Sequence, residues 1–580
     1  MKKHFWTALL TISLLNAAPA FAGAVRNPDT FIFGAIGEVT SLDPAFAYDA
    51  VSQGLIFNVY ETLLAFEGEG NDKIIPLLAA QVHSRKNGLI SKDGRTYTFP
   101  IRKGVLFQDG SPMTPEDVRY SILRFMLVDR AGGPSSLLLE PILGLSGTRD
   151  ASGKHVVDFK QAEQAVRVEG DKVVIRLKDP FGPFLSIMAR WSYVMSKAWA
   201  VKNGDWDGRE ETWKAFNDPE KTRSFFYERM NGTGPFFLER WDRLGRNVVL
   251  GRNEKYWRKP AFFKRILIRS VPEFTTRKLM LQAGDADLIE VPRPFITQLK
   301  GMEGVRAADG LPRLMTDPAF FFTFDINPSA NPDIGSGKLD GEGIPADFFK
   351  DRDLRKGFAY AFDYEAFLKD TFRGVAQRAK GPIPPGLPGS DPAQPFYARD
   401  PAKAAEHFKK AWGGKVWEKG FKFTLTYNTG GDVREYSCNI LKKTVEALNP
   451  KFKIDVRGVE WASYLDKAQR HLMPVFSRGW TADYPDAHNF VFPFYHSQGR
   501  YASAQGYRNL ELDKKVEAAV REVDPVKRAK LYKDILRLGY EEVPSIQTVH
   551  PPGVYGLREW VKGFYDNAVF MGIYFYPLSK

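Results

Sequence analysis

From Phe421 to Trp480 the chain reads strand, helix, strand, helix, strand, with short joints between them. Phe421 to Tyr427 alternates apolar and polar residues, the period of a strand with one covered face. Asp432 to Leu448 has helical spacing and stops before Asn449-Pro450. Phe452 to Val459 is a second strand, Trp461 to His471 a second helix, and Pro474 to Trp480 a third strand. Strands joined through helices lie parallel, with right-handed crossovers. In such open sheets ligands bind beyond the carboxyl ends of the strands. The rule nominates three clusters: Tyr427-Asn428-Thr429, Glu460-Trp461, and Trp480-Thr481-Ala482-Asp483.

The chain of 580 residues suggests roughly two to four structural units. Upstream of the parallel run the texture is mixed. Residues 30–36, 96–101 and 173–177 read as strands. Thr114 is placed to cap a helix, with Pro115 at its first position and Asp117 near the capping-box position. Thr276 to Ala283 reads as a helix stopped by Gly284. Asp400-Pro401 and Asp524-Pro525 each pair a capping carboxylate with a first-turn proline. Residues 546–580 are aromatic and strand-like, notably from Gly572 to Tyr576, and are expected to return to the first lobe.

Lys2 and Lys3, the apolar run from Phe5 to Ala18, and Ala20-Phe21-Ala22 have the form of a secretory leader cleaved after Ala22. The run is shorter than the ~20 residues that span a bilayer. No cysteine stands at the cleavage point, so a lipid anchor is not expected, and the mature chain is expected in the periplasm. Cys438, the one cysteine, cannot form an intrachain bridge and falls in a helical pattern, so a buried, inert thiol is expected. The net charge is +13, but basic residues are scattered among acids rather than massed. Nucleic acid is therefore not an expected partner, although a weak preference for anions remains open.

Motifs for catalysis are missing. There is no His-Glu-x-x-His, Cys-x-x-Cys, Gly-x-Ser-x-Gly or phosphate-loop pattern. His471, His488, His496 and His550 are scattered, and no cofactor or metal is expected.

Several short motifs recur in a fixed order. They are Ser41-Leu-Asp-Pro44, Tyr60-Glu-Thr-Leu-Leu64, Asp93-Gly94, Phe107-Gln-Asp-Gly110, and Pro112 to Val118. Gly232-Thr-Gly-Pro-Phe236, Arg252 to Trp257, Gly284-Asp-Ala-Asp287, Asp353 to Asp363, and Trp480 to Asp486 complete the set. Their order and spacing resemble the solute-binding proteins of the peptide/nickel ABC importer family, often called family 5, over nearly the whole mature chain. The resemblance implies an α/β class C periplasmic binding protein. Two lobes joined by hinge strands would grip a ligand, beside an extra N-terminal α+β subdomain. The division it suggests is 23–72 and 168–318 for lobe I, 73–167 for the subdomain, 319–545 for lobe II, and 546–580 returning to lobe I. Residues 145–167 and 327–349 depart from the family pattern and read as Gly-, Pro- and Asp-rich loops.

What the resemblance implies for the site starts with Asp483, which matches the aspartate that pairs with a peptide's amino group. An enclosed ammonium needs such a counter-charge, because burying it unpaired costs several kcal/mol. Trp480 is the expected apolar wall beside it, with Tyr484 and Trp461 as further candidates. Phe320 and Phe322 belong to a segment that crosses between lobes in the family, and alternation allows at most two of the rings at 320–322 on one face. Asn428 comes from the strand-end rule. Thr40 and Gly234 are expected to face the cleft from lobe I. No partner for a ligand carboxylate is identifiable, although Arg478 shares a strand side with Trp480. The expected function is capture of a small peptide by lobe closure, with transient docking of a monomer on an inner-membrane ABC permease. An oligosaccharide or other neutral solute is the alternative ligand, and a periplasmic chaperone or signalling partner the alternative of another class.

Overall fold

The computed structural model describes residues 25–150 and 152–580; the expected leader lies outside them. Lobe I is built on a seven-stranded sheet. Its order is Val305–Leu311, Gly553–Arg558, Leu288–Glu290, Thr30–Ala35, Arg265–Ser270, Asn247–Arg252, Phe236–Asp242. Thr30–Ala35 is parallel to both of its neighbours. Gly553–Arg558 is antiparallel to both of its own, so the C-terminal segment returns to this lobe as a strand between two earlier ones. Helix α1 (Ala50–Val59) follows the first strand, with Asp49 accepting from the Ser52 backbone as its N-cap. Residues 572–576 form no strand, contrary to the expectation. Asn58 instead bonds the backbone of Ile573 and Phe575, and the Phe575 ring packs against Phe31.

Three of the ordered motifs meet at one buried carboxylate. Glu61 accepts hydrogen bonds from the Tyr256 hydroxyl (2.7 Å), the Trp257 indole (2.8 Å) and the Thr233 hydroxyl (2.8 Å). A fourth, Ser41 to Pro44, supplies Asp43, which shares the buried Arg124 guanidinium with Asp205, all four bonds being 2.8–2.9 Å. The motifs thus hold the chain together more than they touch solute.

A three-stranded sheet, Thr96–Pro100, Lys172–Arg176, Val166–Glu169, stands beside lobe I. Helix Pro115–Val128 packs near it and carries the expected capping box between Thr114 and Asp117. Helix α2 (Ser136–Leu143) ends on Gly144 in the left-handed conformation. Residues 145–167, read as a loop, contain a helix, Phe159–Ala165, whose Phe159 and Ala162 are buried, and the start of a strand. The small sheet therefore extends to Arg176, beyond the boundary expected at 167.

Lobe II carries a five-stranded sheet. In chain order its strands are β1 (Met315–Phe322), β2 (Phe421–Asn428), β3 (Phe452–Val459), β4 (Val475–Thr481) and β5 (Ser545–Gln547), arranged β3-β2-β4-β1-β5. As the strand-helix alternation requires, β2 is parallel to β3 and to β4. Helix Asp432–Glu446 connects β2 to β3 and buries Cys438, Leu441 and Val445; α3 (Trp461–Gln469) connects β3 to β4, and α4 (His488–Tyr495) follows β4. Strands β1 and β5 pair antiparallel, β1 lying between β4 and β5. The lobe II sheet so begins at Met315 and ends at Gln547, which moves both expected boundaries, 318 and 545. Only residues 312–314 and 548–552 separate the strands of one sheet from those of the other. Two short crossings of this kind allow a hinge.

Helices cover both faces of β1. Phe320 packs against Phe362, Phe322 against Phe349 and Phe358, and Phe321 against Phe476, Phe494 and Tyr501. All three rings are fully buried, which overturns the assignment of Phe320 and Phe322 to the ligand.

Candidate functional site

A cavity of about 1260 Å³ lies between the two lobes. Lobe I lines it with the loop at Thr40, the start of α1 and the 570–575 segment; lobe II lines it with α3, the end of β4 and the short helix Arg500–Gln505. The lobe II contribution follows the strand-end rule. The helix after β2 presents Arg434, the helix after β3 presents Trp461, β4 presents Arg478 and Trp480, and Asp483 follows two residues past its end.

Asp483 is 2% exposed. Its Oδ2 accepts from the Tyr48 hydroxyl at 2.8 Å and from Asn489 Nδ2 at 3.0 Å. Its backbone N–H donates to Asn489 Oδ1, and its carbonyl accepts from the Trp191 indole. Among the described residues nothing bonds its Oδ1. Burial pushes its carboxyl up to about 6, against the pull of Asn489 and Tyr48. Trp480 is half-buried; its indole donates to Asn489 Oδ1 at 3.1 Å, and its ring meets Tyr501 edge-on at 5.6 Å. Asn489 thereby sets the position of both predicted residues.

Two basic groups stand on the same wall: Arg478, which the sequence placed on the side of Trp480 with its reach unknown, and Arg500, which it did not single out. The Arg478 guanidinium lies 5.0 Å from the Trp461 ring and 5.3 Å from the Tyr501 ring. Burial lowers its pKa from the ordinary arginine value. Arg500 lies 5.8 Å over the Tyr48 ring. Neither guanidinium makes a hydrogen bond or ion pair with any described residue. Arg434, by contrast, is committed to Asp317 through two hydrogen bonds, at 2.9 and 2.8 Å.

The remaining predicted residues divide. Thr40 lines the cleft, its hydroxyl donating to Asp49 at 2.7 Å, and Trp461 lines it at 42% exposure. Tyr484 is buried behind Asp483, in an adjoining cavity. Asn428 is not in the cleft wall; its side-chain oxygen accepts from Arg434 at 2.6 Å and so orients a residue that is. Gly234 is buried against the end of α1, where a Cβ would lie 2.7 Å from the Val59 carbonyl. Its glycine serves that close approach, and the expectation that it faces the cleft is corrected. Tyr48, Asn489, Arg500 and Tyr501 carried no signal of period or motif spacing. Only their nearness in sequence to Asp49, Asp483 and the Gly499 turn could have suggested them.

Among the described residues no helix is long and apolar enough to cross a membrane, and no group of three or more His, Cys, Asp or Glu could hold a metal ion. The model of bacterial extracellular solute-binding proteins, family 5 (middle), matches residues 73–502. The chain is 25% identical over 565 residues to the oligopeptide-binding protein OppA of Bacillus subtilis, covering 94% of this chain and 93% of that one. Its fold is similar to that of the periplasmic binding protein DppA from Helicobacter pylori, solved with the peptide STSA. There the TM-score is 0.74 at 20% identity, covering 95% of this chain and 98% of that one. NikZ from Campylobacter jejuni, solved with Ni(L-His), is similar at a TM-score of 0.72 and 20% identity, over 95% and 100% of the two chains. Members of the family are periplasmic solute-binding proteins and not enzymes. On the match over most of its length and the two-lobed architecture, the chain belongs to the bacterial extracellular solute-binding proteins of family 5.

Proposed function

We propose that this protein is the periplasmic receptor of an ABC importer that captures a short peptide by lobe closure and presents it to an inner-membrane permease. One observation carries the ligand class. A carboxylate with one oxygen free of hydrogen bonds, Asp483, and two guanidiniums that make no hydrogen bond or ion pair among the described residues, Arg478 and Arg500, line one cleft. A partly buried cation without a close counter-charge is less stable than a paired one, and a ligand carboxylate would supply the pair. A peptide carries both complementary charges at its two ends. In this reading the amino group pairs with Asp483, the carboxylate with Arg478 and Arg500, and Trp480, Trp461 and Thr40 wall the chain between. OppA of Bacillus subtilis is named for oligopeptide binding, which agrees with it.

The reading includes export, with the leader removed after Ala22. It also includes a division into lobe I, a subdomain around the small sheet, and lobe II from about 315 to 547. Native mass spectrometry of protein taken from the periplasm tests it. A ladder of co-purified peptide masses is expected. A discrete sugar mass would replace it with the neutral-solute reading, and ligand-free protein that binds no peptide mixture would favour a chaperone or signalling role.

A further inference from the structure

The charges that line the cleft between the lobes do not balance. Among the described residues its basic side chains are Arg130, Lys221, Arg313, Arg434, Arg478 and Arg500, and its acids are Asp49, Glu290 and Asp483. Two of the bases are already paired, Arg313 with Asp566 and Arg434 with Asp317. Two of the acids serve the backbone: Asp49 caps α1, and Glu290 accepts from the Ile36 N–H. What remains is one acid, Asp483, and four cations, Arg130, Lys221, Arg478 and Arg500, none of which forms an ion pair with a described residue. Arg130 spends one N–H on the Pro219 carbonyl. Arg478 and Arg500 are partly buried on the lobe II wall. Burial lowers the Arg478 pKa, and the Arg500 and Arg434 guanidiniums press it the same way. Like charges this close repel, more so where water is partly excluded. Ring faces of Trp461, Tyr501 and Tyr48 offset that repulsion only in part.

We infer that the ligand is an acidic peptide ending in Asp or Glu, its terminal and side-chain carboxylates taken together by Arg478 and Arg500. The inference rests on the peptide reading and adds the charge class of its ligand. With the ammonium on Asp483, a single terminal carboxylate neutralises one guanidinium and leaves its neighbour bare. A second carboxylate on the same residue, a few bonds away, meets that neighbour. Guanidinium and carboxylate match in fork geometry, and charge-assisted bonds of this kind are stronger than neutral ones. Arg130 and Lys221, which line the cleft from outside lobe II, add a positive potential that draws an anion in. A neutral last residue gains none of this, and a basic one adds a further cation to the wall.

The test is calorimetry with Ala-Ala-Glu and its neutral isostere Ala-Ala-Gln on the wild type, Arg478→Gln and Arg500→Gln, with thermal unfolding to check that both variants fold. Wild type is expected to bind Ala-Ala-Glu about 10- to 100-fold more tightly than Ala-Ala-Gln. Each variant keeps one guanidinium for the terminal carboxylate, so each should bring that ratio below about threefold. On wild type, Glu-Ala-Ala and Gln-Ala-Ala should differ by less than about threefold, because their acid lies at the wrong end. This wild-type comparison of the two ends decides the matter alone if a variant does not fold. A ratio near one with both peptides bound overturns the acidic class and leaves the peptide reading standing. A ratio that survives both variants, or an equal gain from Glu at either end, overturns the pairing with Arg478 and Arg500. If none of these tripeptides binds, the peptide reading falls and the acidic class with it.

Discussion

Tyr48 of lobe I donates a 2.8 Å hydrogen bond to Asp483 of lobe II, across the cleft. The hydroxyl occupies one oxygen of the carboxylate that is proposed to hold the ligand's amino group. It is a neutral donor in a place where a cation would bind more strongly. The contact therefore holds the lobes together weakly and leaves room for a better donor.

Replacing Tyr48 with Phe removes that bond and leaves the ring. The ligand-free protein is expected to populate a more open form, because closure without ligand loses one of its cross-cleft donors, the Trp191 indole remaining on the Asp483 carbonyl. Small-angle scattering without ligand should give a larger radius for Tyr48→Phe than for wild type. At saturating peptide the two radii should coincide. Equal radii in both conditions would remove Tyr48 from the closing contact.

Asp483→Asn keeps the size of the side chain and removes its charge. If a peptide ammonium is enclosed there, affinity should fall by about 2–5 kcal/mol, or roughly 30- to 5,000-fold. N-acetylated peptides should bind the wild type as poorly as free peptides bind the variant. Equal calorimetric affinity for free and acetylated peptides would show that no ammonium is read at this position.

Arg478→Gln tests the other end of the ligand. Its guanidinium lies near the Trp461 and Tyr501 rings and pairs with no acidic group among the described residues. Arg500 shares the role, so the loss should be at the low end of that for a buried pair, about 2 kcal/mol. A C-terminally amidated peptide should bind wild type and variant alike. An equal loss for acid and amide would mean that Arg478 packs the wall and reads no carboxylate.

The parallel core of lobe II was legible because alternation and helix spacing are local, and the strand-end rule then pointed to Trp461, Trp480 and Asp483. Phe320 and Phe322 misled because a run of apolar residues looks the same whether it borders a cleft or is covered by helices on both faces. Only tertiary packing separates the two. Gly234 misled for a related reason: the glycine answers to the Val59 carbonyl, 175 residues away in sequence. Tyr48 and Arg500 were invisible because their meaning lies in a contact between lobes. The helix at Phe159–Ala165 was hidden by its short length and by the Gly and Asp residues before it.

Cys438 is fully buried in the helix that follows β2, and burial pushes its thiol up to about 12. Such a thiol is inert. Cys438→Ala should cost at most about 1–2 kcal/mol in chemical unfolding and leave peptide affinity unchanged. Loss of binding in a folded variant would give the thiol a role that nothing in its surroundings suggests.

The pH dependence of Asp483 has opposite signs for folding and for binding. Its carboxyl is raised to about 6 in the folded chain, from an ordinary value near 3.8. A raised acid favours the folded state when protonated, so its contribution is complete below the unfolded value and is lost as pH climbs through about 6. Relative to Asp483→Asn, ligand-free wild type should lose up to about 3 kcal/mol between pH 4 and 7. Binding an ammonium requires the ionised form. Wild-type affinity for a peptide should thus fall about tenfold from pH 7 to pH 5, as roughly nine in ten carboxyls become protonated. The Asn variant subtracts every other titrating group, since only Asp483 differs. Chemical unfolding and calorimetry on the pair read the two slopes. A variant whose affinity falls as steeply as the wild type's would assign the dependence to another group and leave Asp483 neutral to the ligand.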